Sequence, residues 1–388
     1  MIRHLITCEY PPQPGGVSDY SELVANGLAA AGDEVHVWCP GAGAVELENR
    51  ADSLSGVFAH REFGQFKPGD LRRVGKLLDQ FSEPRRLLVQ WVPHGYGHHS
   101  MNLAFCLWLW QRSRLKHDQI DIMVHEPFLA FGEGSIKQDV AAAAHRAMVV
   151  ILLRAANRVW VSIPDWEKRL RPFAFGNDKT FGWLPVPSNI PVIADAEGVN
   201  KVRAQYASGG KSLVGHFGPY DQYTTELMLK LLPRLLTDHD QLSVLLLGKG
   251  SAELFDQLVS QQPDLSRQVG ATGLLSAADL SRHIRACDVM LQPYQDGVSG
   301  RRGSVMAALS HGIPVVTTLG RTTEDCWLES EAVKLTKVGD VTGLVEATSA
   351  ILNNTPERHQ MGAASKEFYR RMFDLSRTVS ALRNGPGS

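Results

Sequence analysis

Gln292-Pro293-Tyr294-Gln295-Asp296-Gly297-Val298-Ser299-Gly300-Arg301-Arg302-Gly303-Ser304 leads into a mostly apolar stretch and then into Gly312-Ile313-Pro314-Val315-Val316. An apolar run ends at Gln292, a glycine-rich loop carries two arginines, a helix is expected from Ser304, and a second apolar run follows Pro314. That order is the repeating unit of a parallel sheet covered by helices. Main-chain amides, the partial positive charge of a helix start and two guanidinium groups converge on one point, a set suited to a diphosphate. A solvated basic loop is the simpler alternative. The coincidence of glycines, charge and helix start weighs against it.

The same alternation extends in both directions. Strands are expected at Ser212–Phe217, Leu242–Leu247, Val269–Thr272, Val289–Gln292 and Val315–Thr318, with helices at Thr224–Thr237, Ala252–Gln261, Ala277–Ala286 and Ser304–His311. Upstream, strands are expected at Arg3–Cys8, Glu34–Trp38, Leu87–Gln90, Asp121–Val124 and Arg158–Ser162. Helices are expected at Ser18–Ala31, Leu71–Phe81, Met101–Arg114 and Val140–Ala156. Trp183–Val192 carries three prolines and reads as a linker. The fold class is therefore α/β: two Rossmann-like doubly wound domains facing a cleft, where such sheets place ligands. The expected domains are residues 1–190 and 195–355, with a helical tail over 356–384 crossing back to the first.

Composition narrows the function. A chain of 388 residues suggests two domains, and a formal net charge of −1 gives no reason to expect a nucleic-acid partner. Cys8, Cys39, Cys106, Cys287 and Cys326 form no CxxC pair, which speaks against a zinc site or a disulfide framework and suits a reducing, cytoplasmic setting. No stretch approaches the ~18 apolar residues of a membrane span. Trp108, Trp110, Arg112, Arg114 and Lys116 would suit peripheral contact with an anionic membrane face; a core helix with a solvated basic end is the competing reading, favoured by how well tryptophans bury.

Three further stretches carry candidate chemistry. Tyr10-Pro11-Pro12-Gln13-Pro14-Gly15-Gly16-Val17-Ser18 enters a helix, so the amides of Gly15 and Gly16 suit an anion, while Ser18 could simply cap the helix. His125 and Glu126 follow an apolar run, and polar residues at the carboxyl end of a parallel strand meet ligands. Trp91-Val92-Pro93-His94-Gly95-Tyr96-Gly97-His98-His99 places aromatic and hydrogen-bonding groups side by side, as a carbohydrate-contacting loop does. Its histidines lack the carboxylate or cysteine that would complete a metal site.

These residues resemble the retaining GT-B glycosyltransferases of the family 4-like group 1. The similarity spans the chain: the Pro-Pro-to-Gly-Gly-Val opening, His125-Glu126, Pro185–Pro187, Leu247-Gly248-Lys249-Gly250, Thr272-Gly273, Asp288 before Pro293-Tyr294, and His311-Gly312-Ile313-Pro314-Val315-Val316. The resemblance implies an acceptor-binding first domain, a donor-binding second domain, transfer with retention at the anomeric carbon, and no bound metal or cofactor beyond the nucleotide-diphosphate sugar as co-substrate. Two departures stand out. The family's two glutamates, eight positions apart, correspond to Ser299 and Ala307 here. Its arginine and lysine after the first donor-domain strand are absent from Gly215–Gln222.

The expected activity is transfer of a sugar from a nucleotide diphosphate to a glycan, lipid-linked or small-molecule acceptor. His125, Glu126, Arg301 and Arg302 are the catalytic candidates. Gly15, Gly16, Gly218, Lys249, Thr272, Ser299, Gly303 and Ser304 are expected to bind donor, and His94, Tyr96 and Ser18 to bind acceptor. The alternatives are a degenerate GT-B protein that binds glycan or nucleotide as a partner subunit, and a sugar-nucleotide epimerase or phosphorylase on the same fold.

Overall fold

A computed structural model of the chain describes residues 1–41, 56–132, 134–176, 179–237 and 240–385. The chain divides into two compact units. One is Met1–Pro185 together with the chain from Leu375 onward; the other is Val186–Asp374.

The first unit holds a parallel sheet of β1 (Ile2–Ile6), β2 (Glu34–Pro40), β3 (Val57–Phe63), β4 (Arg86–Trp91), β5 (Gln119–Val124), β6 (Arg158–Val161) and β7 (Thr180–Trp183). Their order in the sheet is β3-β2-β1-β4-β5-β6-β7. The second unit holds β8 (Ser212–Phe217), β9 (Leu242–Leu247), β10 (Val269–Ala271), β11 (Val289–Gln292), β12 (Val315–Leu319) and β13 (Val333–Lys337), ordered β10-β9-β8-β11-β12-β13. All pairings are parallel, and each sheet reverses direction once, between β1 and β4 and between β8 and β11. In doubly wound sheets that reversal opens a crevice at the carboxyl ends of the strands.

Burial follows from strand composition. Leu242-Ser243-Val244-Leu245-Leu246-Leu247 is buried at every position, as a central parallel strand covered on both faces must be. Its Val244 and Leu246 pack with Val214, Leu231, Leu235, Leu291 and Val316. In the first unit Ile6, Val89, Ile122, Val124, Leu152 and Val161 form the corresponding core.

Several sequence expectations need correction. Val57–Phe63, Thr180–Trp183 and Val333–Lys337 are additional strands, and the helix expected from Ser18 starts at Gly16. The expected tail is two helices with different attachments. Thr355–Met372 lies in the second unit, and only Leu375–Asn384 belongs with the first. Phe373, fully buried against Trp327 and Phe368, marks the break. Leu375–Asn384 lays Leu375 and Val379 against Gly27, Arg3 Nη1 donates to the Leu382 carbonyl (3.2 Å), and Arg383 Nη1 donates to that of Ala31 (2.8 Å).

The basic cluster on Leu103–Leu115 also resolves differently. Arg112 is buried, donating to Asp118 and Asp79, and Trp108 packs on the Phe63 and Phe105 rings. Trp110, Arg114 and Lys116 remain exposed. No helix among the described residues is long and apolar enough to cross a membrane.

Candidate functional site

In the second unit the chain leaves β11 at Gln292 and reaches the helix Gly303–His311 through the arginine loop. Asp296 organises that loop. Its Oδ2 accepts from Arg301 Nη2 at 2.9 Å and its Oδ1 from Arg302 Nη2, so one carboxylate bridges both guanidiniums. Burial pushes the Asp296 carboxyl up, but the Arg302 and Arg301 charges more than offset this and hold it below the ordinary carboxylate range. Arg302 also lies over the Tyr294 ring, 4.6 Å from its centroid, and the Tyr294 hydroxyl shares a 2.8 Å hydrogen bond with Ser304 Oγ. Gly297 is required by the turn: its φ is +90°, and a Cβ there would stand 2.4 Å from the Gly320 nitrogen.

The other donor candidates sit at the same sheet edge. Gly218 follows β8, and a Cβ on it would lie 3.7 Å from Ser304 Oγ, so the turn after β8 and the start of Gly303–His311 adjoin. Lys249 is exposed on the turn after β9. Thr272 follows β10, its N–H bonded to the Leu246 carbonyl (3.0 Å). Ser299 is fully buried and Ala307 likewise; the Ser299 hydroxyl, His216 Nδ1 and the Gln292 amide nitrogen have no hydrogen-bond partner among the described residues. Burial pushes His216 down to about 4, so its ring is neutral near pH 7.

In the first unit β1, β4 and β5 deliver a second polar cluster. His125 Nε2 meets Gln90 Oε1 at 2.9 Å, and the Tyr20 ring stands edge-on to the imidazole at 4.8 Å. Burial pushes His125 down to about 4, so it serves as a neutral donor and acceptor rather than a cation. Its carbonyl accepts from Trp166 Nε1 (2.8 Å) and Ser162 Oγ (3.3 Å), which fixes the strand end. Glu126 is exposed, with Oε2 3.9 Å from His94 Nδ1.

Three candidates in this unit are placed otherwise than expected. Tyr96 is fully buried between the Trp91 and Phe105 rings, with its hydroxyl donated to the Gln90 carbonyl, so it cannot touch an acceptor. Ser18 is likewise buried inside the helix Gly16–Ala30, whose N-cap is Gly15. The anion position at that helix start is already filled: Glu9 Oε1 accepts from the Val17 and Ser18 amides, both at 3.0 Å. Gly15 is glycine for space, since a Cβ would lie 2.2 Å from the same oxygen. Asp296, Gln90 and Glu9 were not singled out from sequence. Asp296 had a visible signal, a carboxylate five and six positions before two arginines, whereas Gln90 and Glu9 act through contacts that no spacing announces. Among the described residues no group of three or more His, Cys, Asp or Glu is placed to share a metal ion.

Comparison with known proteins bears on the fold and on the second sheet. A family model described as "Glycosyl transferases group 1" matches residues 212–354, the sheet that carries the arginine loop. Phosphatidyl-myo-inositol mannosyltransferase of Mycobacterium leprae is 25% identical over 379 residues, covering 95% of this chain and 92% of that protein. Among solved structures, sucrose-phosphate synthase from Thermosynechococcus elongatus superposes with a TM-score of 0.73 at 17% identity, over 98% of this chain and 97% of that one. Anabaena HepE, solved with UDP and glucose, gives 0.69 at 15%, over 98% of each chain. Residues 212–354 thus match a group 1 glycosyltransferase domain, and the chain has the GT-B fold of these structures.

Proposed function

We propose that this glycosyltransferase moves a sugar, with retention at the anomeric carbon, from a nucleotide diphosphate held in the second unit to a glycan or lipid-linked acceptor held in the first. The observation that carries it is the paired Arg301–Asp296–Arg302 cluster at the start of Gly303–His311. In such a transfer negative charge grows on the departing diphosphate as the sugar becomes cationic. Preorganised guanidiniums and helix amides aimed at that charge lower the barrier without a carboxylate pair flanking the bond. Lys249 and the amides of Gly303 and Ser304 add to the same field. His125, neutral and oriented by Gln90, positions a sugar hydroxyl, and Glu126 stands beside it. That HepE was solved with UDP and glucose supports a nucleotide-sugar donor. The phosphatidyl-myo-inositol mannosyltransferases support a lipid-linked acceptor.

A panel of nucleoside diphosphates in a thermal-shift experiment tests the donor site, because a ligand that binds only the folded state raises its melting temperature. At least one diphosphate is expected to stabilise the protein. His125→Ala is then expected to reduce transfer while leaving that stabilisation intact. A panel that stabilises nothing would instead support a partner-subunit role, which the buried Ser299 at a family glutamate position favours.

The lipid part of the reading has its own test. Leu103, Leu107 and Trp110 are exposed at helical spacing beside Arg114 and Lys116, a surface that suits an anionic bilayer. The protein is expected to sediment with anionic liposomes and to be released by salt. Failure to sediment at low salt would remove the lipid surface from the proposal.

A further inference from the structure

The segment Gly320–Trp327, after β12, holds the arginine loop at both ends. The Asp296 carbonyl accepts from the Thr322 amide (3.0 Å) and the Thr322 hydroxyl (2.9 Å). Four residues further on, the Gly300 amide donates to both oxygens of Glu324, at 2.9 and 3.2 Å. The Gly300 carbonyl, in the peptide that joins it to Arg301, accepts from the Val186 amide at 2.7 Å. Two successive peptide groups immediately before the arginines are thus fixed. Glu324 is itself anchored, accepting from Trp327 Nε1 at 2.8 Å, and Trp327 is fully buried against Phe373 and Phe368.

We propose that Glu324 is a positioning residue of the donor site: its carboxylate clamps the Gly300 main chain so that Arg301 and Arg302 are presented to the donor diphosphate. This rests on the phosphate role proposed above for the two arginines. An amide donor needs only a neutral acceptor, which glutamine would supply. A carboxylate in so buried a place is costly, and burial pushes Glu324 up to about 7. The charge is partly met by Arg301, which faces it from the loop; Cys326, on its own turn, also lies within electrostatic reach. A diphosphate bound at the arginines adds negative charge beside Glu324 and further favours its neutral form, so binding draws a proton onto it.

The test uses the full chain and inorganic pyrophosphate as probe, with affinity measured by calorimetry from pH 5.5 to 8.5. Glu324→Ala is expected to weaken binding by about tenfold, the cost of losing one buried charged hydrogen bond. Glu324→Gln keeps an acceptor for Gly300. It should match the parent at low pH and bind several-fold more tightly above pH 7, where the parent carboxyl ionises. Pyrophosphate's own titration is common to both proteins and cancels in the ratio. A Glu324→Ala protein that melts earlier but binds with parental affinity would show a purely structural role and overturn the proposal. So would a Gln-to-parent affinity ratio that stays constant across the pH range, which decides the matter even if the alanine variant does not fold. Undiminished pyrophosphate binding by Arg301→Ala/Arg302→Ala would instead defeat the phosphate role itself.

Discussion

Replacing both Arg301 and Arg302 with alanine is expected to slow sugar transfer by roughly a hundredfold or more, the loss of ~3–4 kcal/mol of transition-state stabilisation. The proposed chemistry leaves a diphosphate whose charge must be met, and the arginine and lysine expected after β8 are not in Gly215–Gln222. The two guanidiniums on this loop are the proposed replacement. Arg→Lys should rescue only in part, because a point charge does not reproduce the planar fork that matches phosphate oxygens. The double variant also has a pH signature. With its cations gone, Asp296 keeps only the burial that pushes its carboxyl up, whereas in the parent it lies below the reference value of 3.8. A depressed carboxyl contributes stability above its unfolded value and loses it as pH falls through the folded one. The variant should therefore melt earlier than the parent at pH 7, and the difference should shrink once the pH drops below ~4. Kinetics at saturating donor with melting curves at both pH values check the two effects. Normal transfer by a folded double variant would reduce the loop to a solvated turn.

The second large effect is on stability, far from the arginine loop. Asp118 has no exposed side-chain surface; its carboxylate accepts from Arg85 Nε at 2.7 Å and from Arg112 Nε, and both guanidiniums are buried. Asp118→Ala would leave two enclosed cations without their shared anion, and breaking a buried pair in this way costs about 3–5 kcal/mol. Arg85 still reaches Glu83 at 3.0 Å and Arg112 still reaches Asp79 at 3.0 Å, so the lower end of that range is expected. A melting temperature within error of the parent would mean these secondary partners, with water, carry the charges unaided.

This buried triad also shows where sequence reading stops. Arg112, Arg114 and Lys116 look alike as a basic run, yet the helix turns Arg112 inward to a carboxylate six residues on and leaves its neighbours in solvent. Strands Ser212–Phe217, Leu242–Leu247 and Val289–Gln292 were legible at their observed bounds, because continuous apolar runs flanked by Gly218, Gly248 and Pro293 leave little choice. Val57-Phe58-Ala59-His60-Arg61-Glu62-Phe63 was not, since polar residues at its centre break the pattern while the ladder to β2 supplies the order. The arginine loop announced itself through glycines and charge. Of its organisers, Asp296 stood at a readable spacing from the arginines, whereas Glu324 did not announce itself, because its role comes from contacts made after the chain has folded. Tyr96 misled for a related reason: an aromatic beside histidines suggests sugar contact, but Trp91 and Phe105 offer it a dry stack.

The attachment of Leu375–Asn384 has a consequence for synthesis. The second unit is a guest inserted into a host whose helix Leu375–Asn384 is made after the guest. A ribosome that has released residues 1–185 has delivered all seven strands of the host sheet but not the helix that meets Gly27 or the Leu382 carbonyl that receives Arg3. Domains ordinarily fold as units in the order of synthesis. Here the guest can complete itself first, while the older half waits for Leu375–Asn384 to meet Gly27 and Arg3.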